Sequence, residues 1–349
     1  MMKRIKTFLL SIIVLASIFF LSSCELFYTQ QEPGKVYLIN IGIRYGKKDI
    51  NGNTILGTQL LDGSYVSALT YTFSDSEFFA DCISELCARA GRELVQFEFS
   101  DFNRSGARLS ASSANFPSVV NVEAKIREFS NMASENDTLI FFCSSHGYSE
   151  NFAYKTTPLQ SEVQYSETAQ YQAQSGIGLE SFNVHFIIDY WPASDLYNVM
   201  KLFPGKKCIF GDFCFSGSVI AENNITTDAT TYSTSNNSID VFSDLLFSDS
   251  KIQQESDFYI LSASKTYEQS YEFGTLGHGL FTYGVLDALG YDTDSQSLGS
   301  EIPASFLGKV SLQQVADKAQ EAIETTGLAS YQHMKITGTS DDLILFDFN

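Results

Sequence analysis

The sequence predicts an α/β fold: a three-layer sandwich with a mostly parallel, six-stranded sheet and helices on both faces. Two observations predict it. Short, β-rich apolar runs recur along the chain, and stretches with helical spacing of apolar residues separate them. The runs are also apolar enough to be buried strands rather than strands with one wet face.

The elements come in this order. Val36 to Tyr45 (VYLINIGIRY) is the first strand. Residues 75–90 form a helix with Asp and Glu in its first turn, and Gly91 ends it. Leu94 to Phe99 is the second strand, 119–134 an amphipathic helix, and Thr138 to Cys143 the third strand. Residues 149–185, rich in Ser, Gln, Tyr and Thr, read as an inserted flap or hairpin. A helix at about 193–203 leads to the fourth strand, Lys207 to Gly211. Residues 221–256 carry little hydrophobic period and are too long for an ordinary connection in a compact domain, which points to a functional or cleavable loop. Phe258 to Ser262 is the fifth strand; helices at about 279–289 and 311–325 and a last strand at 342–347 close the chain.

The N-terminus predicts the compartment. Lys3, Arg4 and Lys6 precede an apolar run from Phe8 to Phe20 that is short for a membrane-spanning helix and ends in small residues, as a cleavable signal does. Leu21-Ser22-Ser23-Cys24 resembles the bacterial lipobox, whose cysteine becomes the lipid-modified N-terminus of the mature chain. The expected organisation is therefore a signal peptide at 1–23, a lipid-anchored tether at 24–34 and one domain at 35–349. The expected location is the bacterial cell envelope, outside the cytoplasm, on the outer or plasma membrane. Several acyl chains on one cysteine suffice for stable anchoring. The formal charge of −19 becomes −22 once the three leader cations are removed; such a surface disfavours nucleic acid and suits solubility or cationic ligands. With Cys24 taken by lipid, five cysteines remain, so at least one thiol is free. Cys82, Cys143 and Cys208 sit among apolar neighbours and read as small buried hydrophobes.

Cys214 differs. His146-Gly147 stands just beyond the third strand and Cys214 just beyond the fourth, and parallel sheets form their sites outside the carboxyl ends of adjacent strands. A thiol with pKa near 8.5 is mostly protonated at neutral pH, and an imidazole beside it takes its proton or stabilises the thiolate. Backbone N–H groups of Gly147 and Cys214 are candidates for an oxyanion hole, and Asp212 presents a carboxylate at the crevice floor or wall. Among the four histidines, His278-Gly279 repeats the dipeptide but precedes an apparent helix and reads as a helix N-terminus. His185 lies in the insertion and His333 near the C-terminal loop, and both read as non-catalytic.

With these residues the chain resembles the caspase–metacaspase family of cysteine peptidases. Ser144-Ser145-His146-Gly147 is similar to the family's Ser-Gly-His-Gly, and Asp212-Phe213-Cys214-Phe215-Ser216-Gly217 to the metacaspase Asp-x-Cys-His-Ser-Gly. Asn136 to Ile140 and residues 262–289 resemble further family segments, so the likeness spans about 36–347. It implies a caspase-like fold and a cysteine-type endopeptidase acting on proteins or peptides through a thioester. Cys214 is then the nucleophile, His146 the general acid/base, Gly147 and the Cys214 N–H the oxyanion hole, and Asp212 an S1 residue favouring Arg or Lys at P1. Phe215 departs from the metacaspase His and Ser145 from its Gly. Relatives that cut after Asn, or after Asp with the help of arginines, keep other specificities open. The His-to-Cys interval of 68 exceeds the roughly 50 of caspases. The 221–256 loop falls where caspases carry an intersubunit linker; Lys251 is its one basic residue, hence the candidate for self-processing, against the reading of an uncut surface loop. No cofactor is expected. Some metacaspases need Ca²⁺, but Asp292 and Asp294 fall far short of the six to eight oxygens calcium takes. Acyl transfer on the same dyad and a non-catalytic, lipid-anchored peptide-binding module are the alternatives.

Overall fold

The structure, a computed structural model, describes residues 33–48, 54–56, 58–59, 65–66, 68–148, 176–179, 189–213, 258–264, 269–336 and 343–349. Outside them lie the leader with Cys24, nearly all of the tether, most of the 149–185 insertion with His185, the 221–256 loop with Lys251, and Cys214.

Five strands build the central sheet: β1 (Val36–Gly42), β2 (Leu94–Ser100), β3 (Thr138–Ser144), β7 (Lys206–Asp212) and β8 (Phe258–Ser262). Their order is β8-β7-β3-β1-β2, all parallel. A sixth, β13 (Lys335–Ile336), pairs antiparallel with the edge of β8. The sheet is therefore six-stranded and mostly parallel. Its sixth member is this two-residue strand, whereas the last strand of the chain, β14 (Ile344–Asp347), pairs instead with β12 (Lys309–Ser311). β11 (Ser305–Phe306) completes that small sheet as a hairpin with β12.

The strand side chains explain the layers. Successive residues point to opposite faces. Tyr37, Ile39 and Ile41 of β1, Leu139, Phe141 and Cys143 of β3, and Ile209 of β7 enter one core with α2 (Val119–Met132) and α3 (Ala193–Met200). Val36 and Leu38, Ile140 and Phe142, and Cys208 and Phe210 enter the other. There they meet α1 (Thr72–Arg89), α4 (Leu280–Ala288) and α5 (Leu312–Thr325). Every residue of β1 and β3 is buried, which is why these strands read as unbroken apolar runs.

Local signals set the helix ends. Ser118 caps α2 by accepting from the Asn121 N–H, and Ser311 with Gln314 forms a capping box at α5. Gly91, at φ +64, takes the left-handed turn after α1. α1 begins at Thr72, three residues earlier than the acidic first turn suggested. Among the described residues no helix is long and apolar enough to cross a membrane.

Candidate active site

The register of the sheet sets the site. β3 and β7 are hydrogen-bonded neighbours, with Ser144 opposite Asp212 at their C-terminal ends. The Ser145 N–H donates to the Asp212 carbonyl at 3.2 Å, so the two chains leave the sheet side by side. His146 comes two positions after its register residue, and in sequence Cys214 comes the same two after Asp212. Neighbouring strands lie about 4.8 Å apart. Cys214 itself lies outside the described residues.

His146 is half-buried and held by Tyr45. Its backbone N–H donates to the Tyr45 hydroxyl at 2.8 Å, and the two rings lie 4.6 Å apart at 35°. Tyr45 is fully buried and sits at φ +58, a left-handed conformation that costs a non-glycine residue energy. β1 ends at Gly42, so Tyr45 lies three residues beyond the sheet strand that leads to it. Gly147 is buried and starts β4 (Gly147–Tyr148), which pairs antiparallel with β5 (Gly176–Leu179); β5 pairs in turn with β6 (Asp189–Pro192).

Asp212 is buried, with its carboxylate turned to the start of α4. Oδ1 accepts from the Ser270 hydroxyl at 2.6 Å; Oδ2 accepts from the Thr282 hydroxyl at 2.6 Å and the Thr282 N–H at 3.2 Å. A carboxylate there satisfies an orphan helix N–H and meets the positive end of the dipole. A second carboxylate stands beside it. Asp75 of α1 is fully buried, contacts His278 Nδ1 at 2.8 Å through Oδ1, and accepts from the Ser144 hydroxyl at 2.9 Å and the Gly279 N–H at 3.1 Å. Burial raises both acids above the ordinary carboxylate range; their hydrogen bonds and His278 draw them back, while Asp212 pushes Asp75 up further. Gly279 lets these groups close, since a Cβ there would run into Asp212 Oδ2 and stand 3.2 Å from Asp75 Oδ2.

His278, buried beneath the crevice, pairs in β10 (His278–Gly279) with β9 (Glu272–Phe273), and Gly279 is the N-cap of α4. His333 is exposed on the loop before β13. The thiols of Cys82, Cys87, Cys143 and Cys208 are all buried and reduced, and burial raises each of them, Cys87 and Cys143 to about 12. A thiol held protonated in this way is no nucleophile. Asp292 spends its carboxylate on the Asp294 and Ser295 N–H groups. Among the described residues no group of three or more His, Cys, Asp or Glu is placed to hold a metal ion.

Residues 66–328, about three quarters of the chain, match the caspase domain, peptidase family C14. The chain belongs to this family. It is thus a member of a family of cysteine peptidases whose substrates are proteins. A crystal structure of a Geobacter sulfurreducens protein is similar at 14% identity and a TM-score of 0.44, covering 88% of this chain and 95% of that one. No curated protein matches.

Sequence reasoning did not find Tyr45, Asp75, Ser270 or Thr282. Asp75 reads in sequence as an ordinary acid in the first turn of a helix, and its partners lie 69 and 203 residues away.

Proposed function

We propose that the protein is a cysteine endopeptidase of the bacterial cell envelope, anchored through Cys24, that uses Cys214 and His146 to cut after Arg or Lys. The observation that carries this reading is the parallel register of β3 and β7, which ends both strands at one level, with His146 and Cys214 each two residues in sequence beyond the paired Ser144 and Asp212. Elimination supports it: the other four non-leader thiols are buried.

In the proposed reaction His146 takes the Cys214 proton and the sulfur attacks the scissile carbonyl carbon. The oxyanion is held by the N–H groups of Gly147 and Cys214. His146 then protonates the leaving amine, and water, deprotonated by the same imidazole, hydrolyses the thioester. Tyr45 fixes the imidazole segment through its hydroxyl and ring. Basic P1 is argued from charge. Asp212 lies close enough to Asp75 and Glu272 to raise both, and His278 contacts Asp75. A cation brought close to these three acids favours their ionised forms and is attracted by them in turn.

Digestion of a P1-diverse peptide library tests this. Cleavage after Arg and Lys, abolished in Cys214→Ala, is the expected result. Cleavage after Asp or Asn would reject the basic specificity, and full activity in Cys214→Ala would reject the nucleophile.

A further inference from the structure

Among the described residues seven large apolar side chains are exposed, and four of them surround one end of the domain. That end is where the strands begin. Phe306 and Leu307, exposed by 66% and 77%, form the tip of the β11–β12 hairpin. Met132, at 58%, is the last residue of α2, and Leu202, at 46%, lies in the turn that enters β7.

The same end receives the chain from its N-terminal side. Arg92 Nε donates to the Gly34 carbonyl at 2.6 Å, while its other nitrogens donate to the carbonyls of Lys35 and, in β14, Leu345. Leu345 is four residues from Asn349, whose side-chain amide donates to the Leu307 carbonyl at 2.9 Å. Four residues of extended strand span about 13 Å. On the other face, Asp137 accepts from the Lys35 N–H and the Ser134 N–H, just after Met132, and its carbonyl accepts from the Lys206 N–H, just after Leu202. Gly34 therefore enters between the two apolar pairs.

Two further features set this end apart. Leu307 sits at φ +51, so an exposed leucine occupies a left-handed position that glycine or asparagine would fill without strain. Lys35, Arg92, Lys201, Lys206 and Lys309 lie here, against Glu93, Glu135, Asp137 and Asp347, a near-balance in a chain with nearly twice as many acids as bases. Apolar side chains rimmed by lysines suit the boundary of an anionic bilayer. Ten residues from Cys24 to Gly34 reach at most about 35 Å, so a lipid on Cys24 keeps this end close to the membrane.

We infer that the strand-start end is a membrane-docking surface. Phe306 and Leu307 enter the acyl boundary on one side of Gly34, Met132 and Leu202 rest on it on the other, and the crevice faces away from the bilayer. The inference rests on the proposed anchor at Cys24.

The test uses the full lipidated chain carrying Phe306→Trp or, separately, Leu202→Trp, in phosphatidylethanolamine–phosphatidylglycerol vesicles with brominated acyl chains. The natural Trp191 is buried and serves as an internal reference. Both substitutions are expected to give blue-shifted, quenched emission, whereas Val120→Trp, exposed at the opposite end, stays unquenched. Vesicle-bound protein with unquenched Phe306→Trp would overturn the docking surface and leave the anchor standing. A chain that stays in the aqueous phase of a detergent partition, unchanged by Cys24→Ala, would overturn the anchor and the docking together. Unquenched emission with a dimer that dissociates in the Phe306→Ser, Leu307→Ser double variant would assign the surface to self-association instead.

Discussion

The chain contains the dipeptide His-Gly twice, and the two copies do opposite things. His146-Gly147 comes directly after a parallel strand whose neighbour ends at the same level, so its histidine emerges half-buried into the crevice, against the ring of Tyr45. His278-Gly279 occupies a short antiparallel hairpin that turns directly into α4, so its histidine is buried against Asp75. The imidazole at the parallel strand end is the one proposed for the chemistry, whereas the one at the helix start is buried against an acid. The C-terminal edge of a parallel sheet presents its first loop residues to the crevice, while a helix start draws polar groups inward to satisfy its free N–H groups.

The sharpest way to break this contrast is to remove each imidazole. His146→Ala is expected to lower peptidase activity by about 100- to 10,000-fold, the usual weight of a general acid/base, with little change in the urea midpoint. His278→Ala is expected to do the reverse. Losing the His278 contact strands part of the buried Asp75 carboxyl and costs about 1–3 kcal/mol of stability. Turnover per folded molecule should fall far less than in His146→Ala. Equal catalytic loss in the two variants, with equal stability, would erase the distinction.

Much of the fold was legible because its strands are buried on both faces. VYLINIG and TLIFFCS have no polar face to interrupt the run, and each is found where its apolar run stands. β13 was not legible, since two residues at a sheet edge carry no period and pair only because α5 returns the chain beside β8. His146 and Asp212 stood out because strand ends are visible in sequence. The link of Asp75 to His278 was not visible, because an acid in a first helical turn is common on surfaces. Only the packing of α1 against the start of α4 buries it. Tyr45 was hidden for a related reason: its apolar neighbours make it look like the end of β1.

A smaller effect is expected at the glycines of the two dipeptides. Gly279 stands where a methyl group would collide with Asp212 Oδ2 and approach Asp75. Gly279→Ala should therefore cost about 1–3 kcal/mol, as overpacking of a tight site does. It should also weaken Arg and Lys substrates selectively by displacing the Asp212 carboxylate from Thr282. An unchanged urea midpoint and an unchanged P1 profile would show that the two acids and α4 do not close as tightly as the geometry requires.

A further effect is one of pH. Burial pushes Asp75 up to about 7, well above its value in the unfolded chain, so the folded protein holds a proton that the unfolded one has released. The stability this contributes is fully present below about pH 4 and is lost as pH rises through about 7. Between those limits the slope from one such group is at most about 1.4 kcal/mol per pH unit. Asp75→Asn keeps the shape and removes the titration, so its urea midpoint should vary less between pH 4.5 and 7.5 than that of the parent. Some slope should survive, because Asp212 is raised by burial too. Tyr45→Phe, which alters only the support of His146, should leave the parent slope intact. A slope that is identical in Asp75→Asn and the parent would mean that burial does not raise this acid, and that it keeps an ordinary carboxyl pKa in the folded protein.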